Sequence, residues 1–78
     1  MADLTFTRHA EREMRRDAIS ETDVYYVVED ADDIREGDDE RVMFTRMLRD
    51  GRQVTVIVED ERIVVTAWVN KRGGRRRP

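Results

Sequence analysis

The residues best suited to chemistry lie in one short segment near the start of the chain. His9 is the only histidine among the 78 residues, and it stands among the arginines Arg8, Arg12, Arg15 and Arg16. Histidine is the side chain best able to gain and lose a proton near neutral pH, so His9 is the one candidate for proton transfer there. Arginine guanidinium groups bind phosphate and carboxylate groups in a bidentate manner. The segment therefore predicts a site that handles an anion.

Local signals place this segment on a helix. Thr7 can cap a helix that runs to about Asp17. The i, i+4 spacing of Ala10 and Met14 predicts the buried side of that helix. The neighbouring face then carries His9, Arg12 and Arg16.

A second helix is predicted from Glu21 to about Glu29. Ser20 and Asp23 approximate a capping box, and Ile19 and Val24 can form the hydrophobic staple around it. The two helices would therefore follow each other with only a short turn between them.

The second half of the chain has the alternating pattern of strands. Apolar residues recur at every second position near Arg41–Arg49, Arg52–Glu59 and Arg62–Asn70, and Ile34–Glu36 could add a short first strand. The sequence thus predicts an α+β fold in which two N-terminal helices pack on a three- to four-stranded antiparallel sheet, in the order ααβββ or ααββββ.

The Asp50-Gly51 dipeptide predicts a two-residue type I′ turn with Arg49 opposite Arg52. This register, with a similar turn at Asp60-Glu61, predicts a core face made of Met43, Thr45, Met47, Val54, Val56, Val58, Ile63, Val65 and Ala67. The opposite face would display Phe44, Arg46, Gln53, Thr55, Ile57, Val64, Thr66 and Trp68.

That opposite face is unlike an ordinary solvated surface, so we expect something to cover it. One candidate is RNA, with Arg46 bound to phosphate and Trp68 stacked on an unpaired base. The other is a second copy of the chain, which would bury Phe44, Ile57 and Trp68 in a two-fold interface.

Composition and charge limit the classes of function. The chain lacks cysteine and has one histidine, so we expect no disulfide, no metal site and no cofactor, and a cytoplasmic location fits. We expect no membrane segment. Residues 71–78 carry five positive charges, which leaves a net charge of −8 on residues 1–70 from the total of −3. We expect one compact domain over residues 1–70 and a basic flexible tail over residues 71–78.

Short motifs along nearly the whole chain resemble the bacterial domain-of-unknown-function family 4258. They are His9-Ala10, Met14, Ile19-Ser20, Asp23-Val24, residues 29–34 and residues 64–68. That family is similar to the RelE-like and BrnT-like toxins. The resemblance implies a RelE/barnase-like ribonuclease fold, an antitoxin protein as partner and messenger RNA as target.

The chain departs from the family pattern on the first helix. Glu13 and Asp17 stand where the resemblance leads us to expect arginines, and Ala18 stands where it leads us to expect glycine. Arg12 and Arg16 could replace those arginines from adjacent positions. However, a displacement of one residue turns a side chain by about 100° around a helix axis.

Two hypotheses follow. In the first, the protein is a metal-independent endoribonuclease of a toxin–antitoxin system, in which His9 acts as general acid or base. The cations that would stabilise the phosphorane are Arg12, Arg16 and Arg46. In the second, the protein is a non-catalytic homodimeric interaction module that binds a protein partner. In that case the acidic segment 29–40 would meet a basic partner. The net acidity, the mixed opposite face of the sheet, and Glu13 and Asp17 at positions expected to be basic favour this hypothesis.

Overall fold

The computed structural model describes residues 3–70, which form two helices and five strands. In chain order the elements are β1 (Thr5–Phe6), α1 (Arg8–Arg16), α2 (Glu21–Glu29), β2 (Asp33–Glu36), β3 (Arg41–Met47), β4 (Gln53–Glu59) and β5 (Ile63–Asn70). The predicted tail, residues 71–78, lies outside the described residues. No helix within residues 3–70 is long and apolar enough to cross a membrane.

The strands form one mixed sheet in the order β1-β5-β4-β3-β2. One side of the sheet is covered by both helices, with α1 packed on β5 and α2 packed on β3 and β4. The α+β class and the two N-terminal helices are therefore confirmed. The prediction of three to four antiparallel strands is wrong, because there are five strands within residues 3–70 and β1 runs parallel to β5.

Strand β1 is too short to give a periodic signal in the sequence. Two backbone bonds attach it to β5, from the Thr5 N–H to the Arg62 carbonyl at 2.7 Å and from the Thr7 N–H to the Val64 carbonyl at 3.1 Å. The Tyr25 hydroxyl accepts a bond from the Leu4 N–H at 2.9 Å. The segment predicted only as an extended lead-in is thus held at the edge of the sheet by both β5 and α2.

The helix starts are those the sequence predicts. The Thr7 hydroxyl accepts the Ala10 N–H at 3.0 Å, and the buried residues of α1 are Ala10 and Met14. Ser20 and Asp23 form the reciprocal capping box of α2, with both bonds at 3.0 Å. Side-chain oxygens therefore satisfy backbone donors that a helix start leaves without partners.

Helix α1 ends in a Schellman motif that normally uses glycine. Ala18 takes the left-handed conformation, with φ of 57°. The Ile19 N–H then bonds the Met14 carbonyl at 2.8 Å, and the Ala18 N–H bonds the Arg15 carbonyl at 3.3 Å. Alanine therefore makes the turn expected of glycine, at a steric cost from its Cβ.

The predicted register of the hairpin between β3 and β4 is wrong by one residue. Met47 pairs with Gln53, and the Leu48 N–H bonds the Arg52 carbonyl at 2.7 Å, so the loop has three residues rather than two. Gly51 has a positive φ, but Asp50 does not. The reason is local: the Asp50 carboxylate accepts the Arg52 N–H at 3.1 Å, a side-chain turn that replaces the type I′ geometry.

This shift exchanges the two faces of β3. Phe44 packs against the helix-side core and Leu48 is buried there, whereas Met43 and Met47 lie on the side away from the helices. A bulge at Val65 shifts β5 as well, because Val58 pairs with Val64 while Ile57 pairs with Thr66. The helix-side residues of the sheet are therefore Val42, Phe44, Arg46, Leu48, Val54, Val56, Val58, Val64, Ala67 and Val69.

The predicted turn at Asp60-Glu61 is present, although neither residue is glycine. Both have positive φ, and the Arg62 N–H bonds the Glu59 carbonyl at 3.2 Å. Asp39 and Glu40 form a similar left-handed pair between β2 and β3. The two turns lie side by side at one end of the sheet, since the Asp60 N–H bonds the Glu40 carbonyl at 3.2 Å.

Candidate functional site

Three arginines form a line on the exposed side of α1. Arg8, Arg12 and Arg15 follow the i, i+4, i+7 spacing of one helix face, opposite the buried Ala10 and Met14. All three are exposed, and none forms an ion pair with a carboxylate within residues 3–70. We call these three residues the arginine stripe. It leaves three positive charges without neutralising partners on a body whose net charge is negative.

Within the arginine stripe, Arg8 and Arg12 oppose the stability of their own helix, whereas Arg15 lies in the last turn, where the helix dipole favours positive charge. Arg8 occupies the first turn, where the helix dipole disfavours positive charge, and the only acidic residue of that turn is Glu11. Arg12 lies four residues after Arg8 and three before Arg15, which are the spacings at which like charges on a helix repel. A group of charges that weakens its own scaffold is typical of a surface that meets an opposite charge on a partner.

His9 flanks the stripe, three residues before Arg12 on the first turn of α1. Its side chain is exposed and makes no hydrogen bond or ion pair with another residue of the region 3–70. It therefore remains open to solvent and to any anion bound along the stripe. It is not, however, part of the cleft described below.

Arg16 differs from the three stripe residues because its charge is neutralised. Its guanidinium forms ion pairs with Glu13 and, at 3.1 Å, with Asp17. The hydrogen bond to Asp17, followed by the charge of Glu13, raises the pKa of Arg16 above its ordinary value. The second carboxylate oxygen of Asp17 accepts the Val69 N–H at 3.1 Å. Glu13 and Asp17 thus hold Arg16, and Asp17 also holds the end of β5.

A cleft of about 910 Å³ opens beside Arg16, between the end of α1 and the end of β5. Its lining residues are Glu13, Arg16, Asp17, Arg52, Trp68, Val69 and Asn70. Of the predicted site residues, the cleft brings together Arg16 and Trp68. Its positive and negative groups are already paired with one another, so it offers no excess charge of either sign.

Arg52 connects three parts of the fold at the floor of this region. One guanidinium nitrogen donates to the carbonyls of Asp17 and Ala18 at 3.0 and 2.9 Å, which satisfies the end of α1. The other nitrogens meet Asp23 of α2 at 3.5 Å and Asp50 of the hairpin at 2.9 Å. From the sequence, Arg52 was predicted only as a hairpin residue, because bonds to backbone carbonyls 34 and 35 residues away leave no sequence signal.

Arg46 is separated from the other predicted site residues. It lies on β3, two strands away from β5, on which α1 packs. Its guanidinium donates to the Tyr26 hydroxyl at 2.6 Å and to Asp32. Its guanidinium carbon lies 4.9 Å from the centre of the Tyr26 ring. The bond to Tyr26, followed by that to Asp32, raises the pKa of Arg46. Arg46 therefore holds α2 and the start of β2 against β3 rather than standing beside His9.

Trp68 belongs to the side of the sheet away from the helices. Its indole N–H donates to the Asn70 side-chain oxygen at 2.8 Å, and its strand partner on β4 is Thr55. Ile57 lies on the same side, whereas Phe44, predicted beside it, faces the helices. Of the three predicted interface residues, two thus share one face, and the residues that join them are Met43 and Met47.

Comparison with known proteins gives one match. A family model described as "Domain of unknown function (DUF4258)" matches residues 6–69, which cover every element from the second residue of β1 to the penultimate residue of β5. Searches of curated proteins and of solved structures found no match.

Proposed function

The chain belongs to the DUF4258 family, and from that premise we propose that it binds the phosphate backbone of RNA through the arginine stripe on α1. The observation that carries this proposal is the contrast among the arginines. Arg16, Arg35, Arg41, Arg46 and Arg52 all pair with carboxylates, whereas the three residues of the stripe do not pair with any within residues 3–70. Arg49 and Arg62 also form no ion pair within residues 3–70, but each lies singly beside a strand turn, so α1 is the helix face on which unpaired positive charge accumulates.

The dimensions of the stripe suit a strand of phosphates. Seven residues separate Arg8 from Arg15, which corresponds to about 10 Å along a helix axis. Three guanidinium groups spread over that length can each contact a phosphate of one strand. The acidic remainder of the body would repel the same polyanion, and this repulsion would orient RNA toward α1.

Cleavage of the bound RNA by His9 is a second candidate function. The observation that favours it is the exposed imidazole three residues from Arg12, within the reach of a strand that lies on the stripe. Arg12 is the one cation of the predicted catalytic set that stays beside His9 without a carboxylate partner, since Arg16 and Arg46 are neutralised. This second candidate is the toxin-type ribonuclease that the resemblance to RelE-like and BrnT-like toxins implies. An antitoxin protein would be its partner.

Binding is tested with a labelled single-stranded RNA titrated at several salt concentrations. Three phosphate contacts predict that the logarithm of the affinity falls with the logarithm of salt with a slope of about −2. The variant Arg8→Gln/Arg12→Gln/Arg15→Gln should lose this part of the slope. The control Arg49→Gln/Arg62→Gln removes two exposed arginines that form no ion pair within residues 3–70. The basic segment 71–78 is common to all variants, so their differences report on α1.

Cleavage is tested separately with the same RNA in the presence of a chelator. If His9 is the general acid or base, His9→Ala should bind RNA as wild type does but should not cut it. Equal cleavage by both proteins would remove His9 from the mechanism.

Loss of the salt slope in the arginine control, but not in the stripe variant, would overturn the binding proposal itself.

A further inference from the structure

The side of the sheet away from the helices carries an uncharged patch on its three central strands, bounded at one end by Arg41 and Glu59. We call this surface the outer sheet face. Its residues are Met43, Thr45, Met47, Gln53, Thr55, Ile57, Thr66, Trp68 and Asn70. Charged residues make up 42% of the chain, so nine uncharged positions in one patch depart strongly from the rest of the molecule. No element within residues 3–70 covers this side.

The polar groups of the outer sheet face are bonded to one another. The Asn70 amide nitrogen donates to Gln53 and to the Thr55 hydroxyl, each at 2.9 Å. The Thr55 and Thr45 hydroxyls are 3.2 Å apart, and the Asn70 oxygen accepts the Trp68 indole N–H. Burial of hydrogen-bonded groups costs far less than burial of groups without partners. A partner can therefore cover the five bonded side chains, Thr45, Gln53, Thr55, Trp68 and Asn70, without replacing the bonds they already make.

The rim of the face is charged but internally neutralised. Arg35 pairs with Asp33 at 3.0 Å on β2, and Arg41 meets Glu59 at 3.9 Å across β3 and β4. An uncharged centre with a polar rim is the usual anatomy of a protein–protein interface. It is a poor surface for a polyanion, because the centre carries no cation.

We infer that the outer sheet face is the contact surface of a homodimer, in which a second copy of the chain packs face to face in a two-fold arrangement. A two-fold axis places the same patch on both partners, and an uncharged patch can meet itself without like charges facing each other. The net charge of −8 on residues 1–70 opposes association of two copies, so contact through an uncharged patch adds the least further repulsion.

The size of the face fits a weak dimer. Three strands of about 4.8 Å spacing and seven residues of about 3.3 Å rise give a projected area of about 330 Å² per copy. Two copies thus bury about 670 Å² before the relief of the side chains and the rim on β2 are counted, which is below the ~1,000 Å² of stable specific interfaces and fits only a weak dimer. We expect dissociation in the micromolar range, about 1–100 µM.

The test is light scattering of the purified full chain over that concentration range, with variants of matched chemistry. Ile57→Glu puts a charge at the centre of the outer sheet face. Met47→Glu puts a charge at the end of β3 on the same face. Met47 is 46% exposed, so the monomer of this variant should fold normally. The control is Ile34→Glu, because Ile34 is the other exposed large apolar residue of the described region but pairs with Phe44 on the helix side of the sheet.

Both face variants should weaken dimerisation at least tenfold, and Ile34→Glu should leave it unchanged. Trp68 is the only tryptophan, so its emission should shift toward longer wavelength when the wild-type dimer is diluted into monomers. A wild-type monomer throughout the range, a constant Trp68 emission, or dissociation by Ile34→Glu instead of Met47→Glu would each overturn the inference. The stripe variant Arg8→Gln/Arg12→Gln/Arg15→Gln should dimerise as wild type does, which keeps this result separate from the RNA proposal.

Discussion

Arginine 12 is predicted to weaken the fold while it strengthens RNA binding, and Arg12→Gln should separate the two effects. Glutamine and arginine have similar helix propensities, so the substitution mainly removes charge. It relieves repulsion from Arg8 and from Arg15, two pairs of about 0.2–0.5 kcal/mol each. The free energy of unfolding should therefore rise by about 0.4–1 kcal/mol, which in a domain of this size raises Tm by about 2–8 °C.

The same substitution should lower the affinity for RNA by a calculable amount. Each phosphate contact contributes about 0.7 to the slope of log affinity against log salt for a single strand, so the slope should change from about −2.1 to about −1.4. At ~0.1 M salt this corresponds to about a fivefold loss of affinity. The assays are thermal unfolding followed by circular dichroism and fluorescence anisotropy of a labelled RNA, both at several salt concentrations.

Arg49→Gln is the matched control, because Arg49 is exposed on the hairpin loop and forms no ion pair within the region that the structure describes. It should change neither Tm nor the salt slope. The increase in Tm for Arg12→Gln should also shrink at high salt, since screening weakens the repulsion that it relieves. If Arg12→Gln lowers Tm, or if Arg49→Gln reduces the slope equally, the stripe is not the cause and the reasoning is refuted.

Three further predictions concern the scaffold. Ala18→Gly should raise the free energy of unfolding by about 0.5–1 kcal/mol, measured by urea denaturation, because glycine adopts the left-handed conformation without the Cβ clash; no change would mean that the turn relaxes. Arg52→Met should lower the free energy of unfolding by about 1–3 kcal/mol, because the carbonyls of Asp17 and Ala18 lose their donor. The stability of Arg52→Lys should lie between that of wild type and that of Arg52→Met. The hydrogen bond from the Met47 N–H, and then the bond to Arg46, lower the pKa of Asp32. Ionised Asp32 therefore stabilises the fold above the ordinary aspartate pKa of about 3.9, and this stabilisation is lost as pH falls through the lowered pKa. Asp32→Asn should therefore show a smaller loss of stability than wild type over that acidic range, and an identical acid profile would contradict this origin.

Features encoded by neighbouring residues were predictable from the sequence. The Thr7 cap and the Ser20–Asp23 capping box depend on side chains three residues from their backbone partners, so the start of each helix follows from composition and spacing. The Asp60-Glu61 turn was also predicted, although glycine is absent there.

Features that depend on competing local geometries were not predictable. The carboxylate of Asp50 bonds the Arg52 N–H and produces a three-residue loop, where the dipeptide alone indicated a two-residue turn. One extra residue in the loop exchanges the two faces of β3. Phe44 and Arg46 therefore lie on the helix side, and Met43 lies on the outer sheet face. The parallel pairing of β1 was missed because two residues are too few to show a period.

The candidate site shows the same division. The exposed cations of α1 follow from helix spacing, so His9 and Arg12 were placed correctly on one helix. Arg16 is neutralised by the nearby Glu13 and Asp17. Arg46, however, is neutralised by Asp32, which is distant in sequence, and exposed acids such as Glu11 pair with no arginine within residues 3–70. Spacing alone could therefore not separate the stripe from the arginines that hold the fold together.

The position of β5 has a consequence for synthesis of the protein. Helix α1 precedes β5 along the chain, yet β5 is the strand on which it packs and the strand that joins β1 to β4. During synthesis, α1 therefore cannot dock on β5 until residues 63–70 have been made and released. Until then the apolar side of α1, with Ala10 and Met14, would be exposed to chaperones.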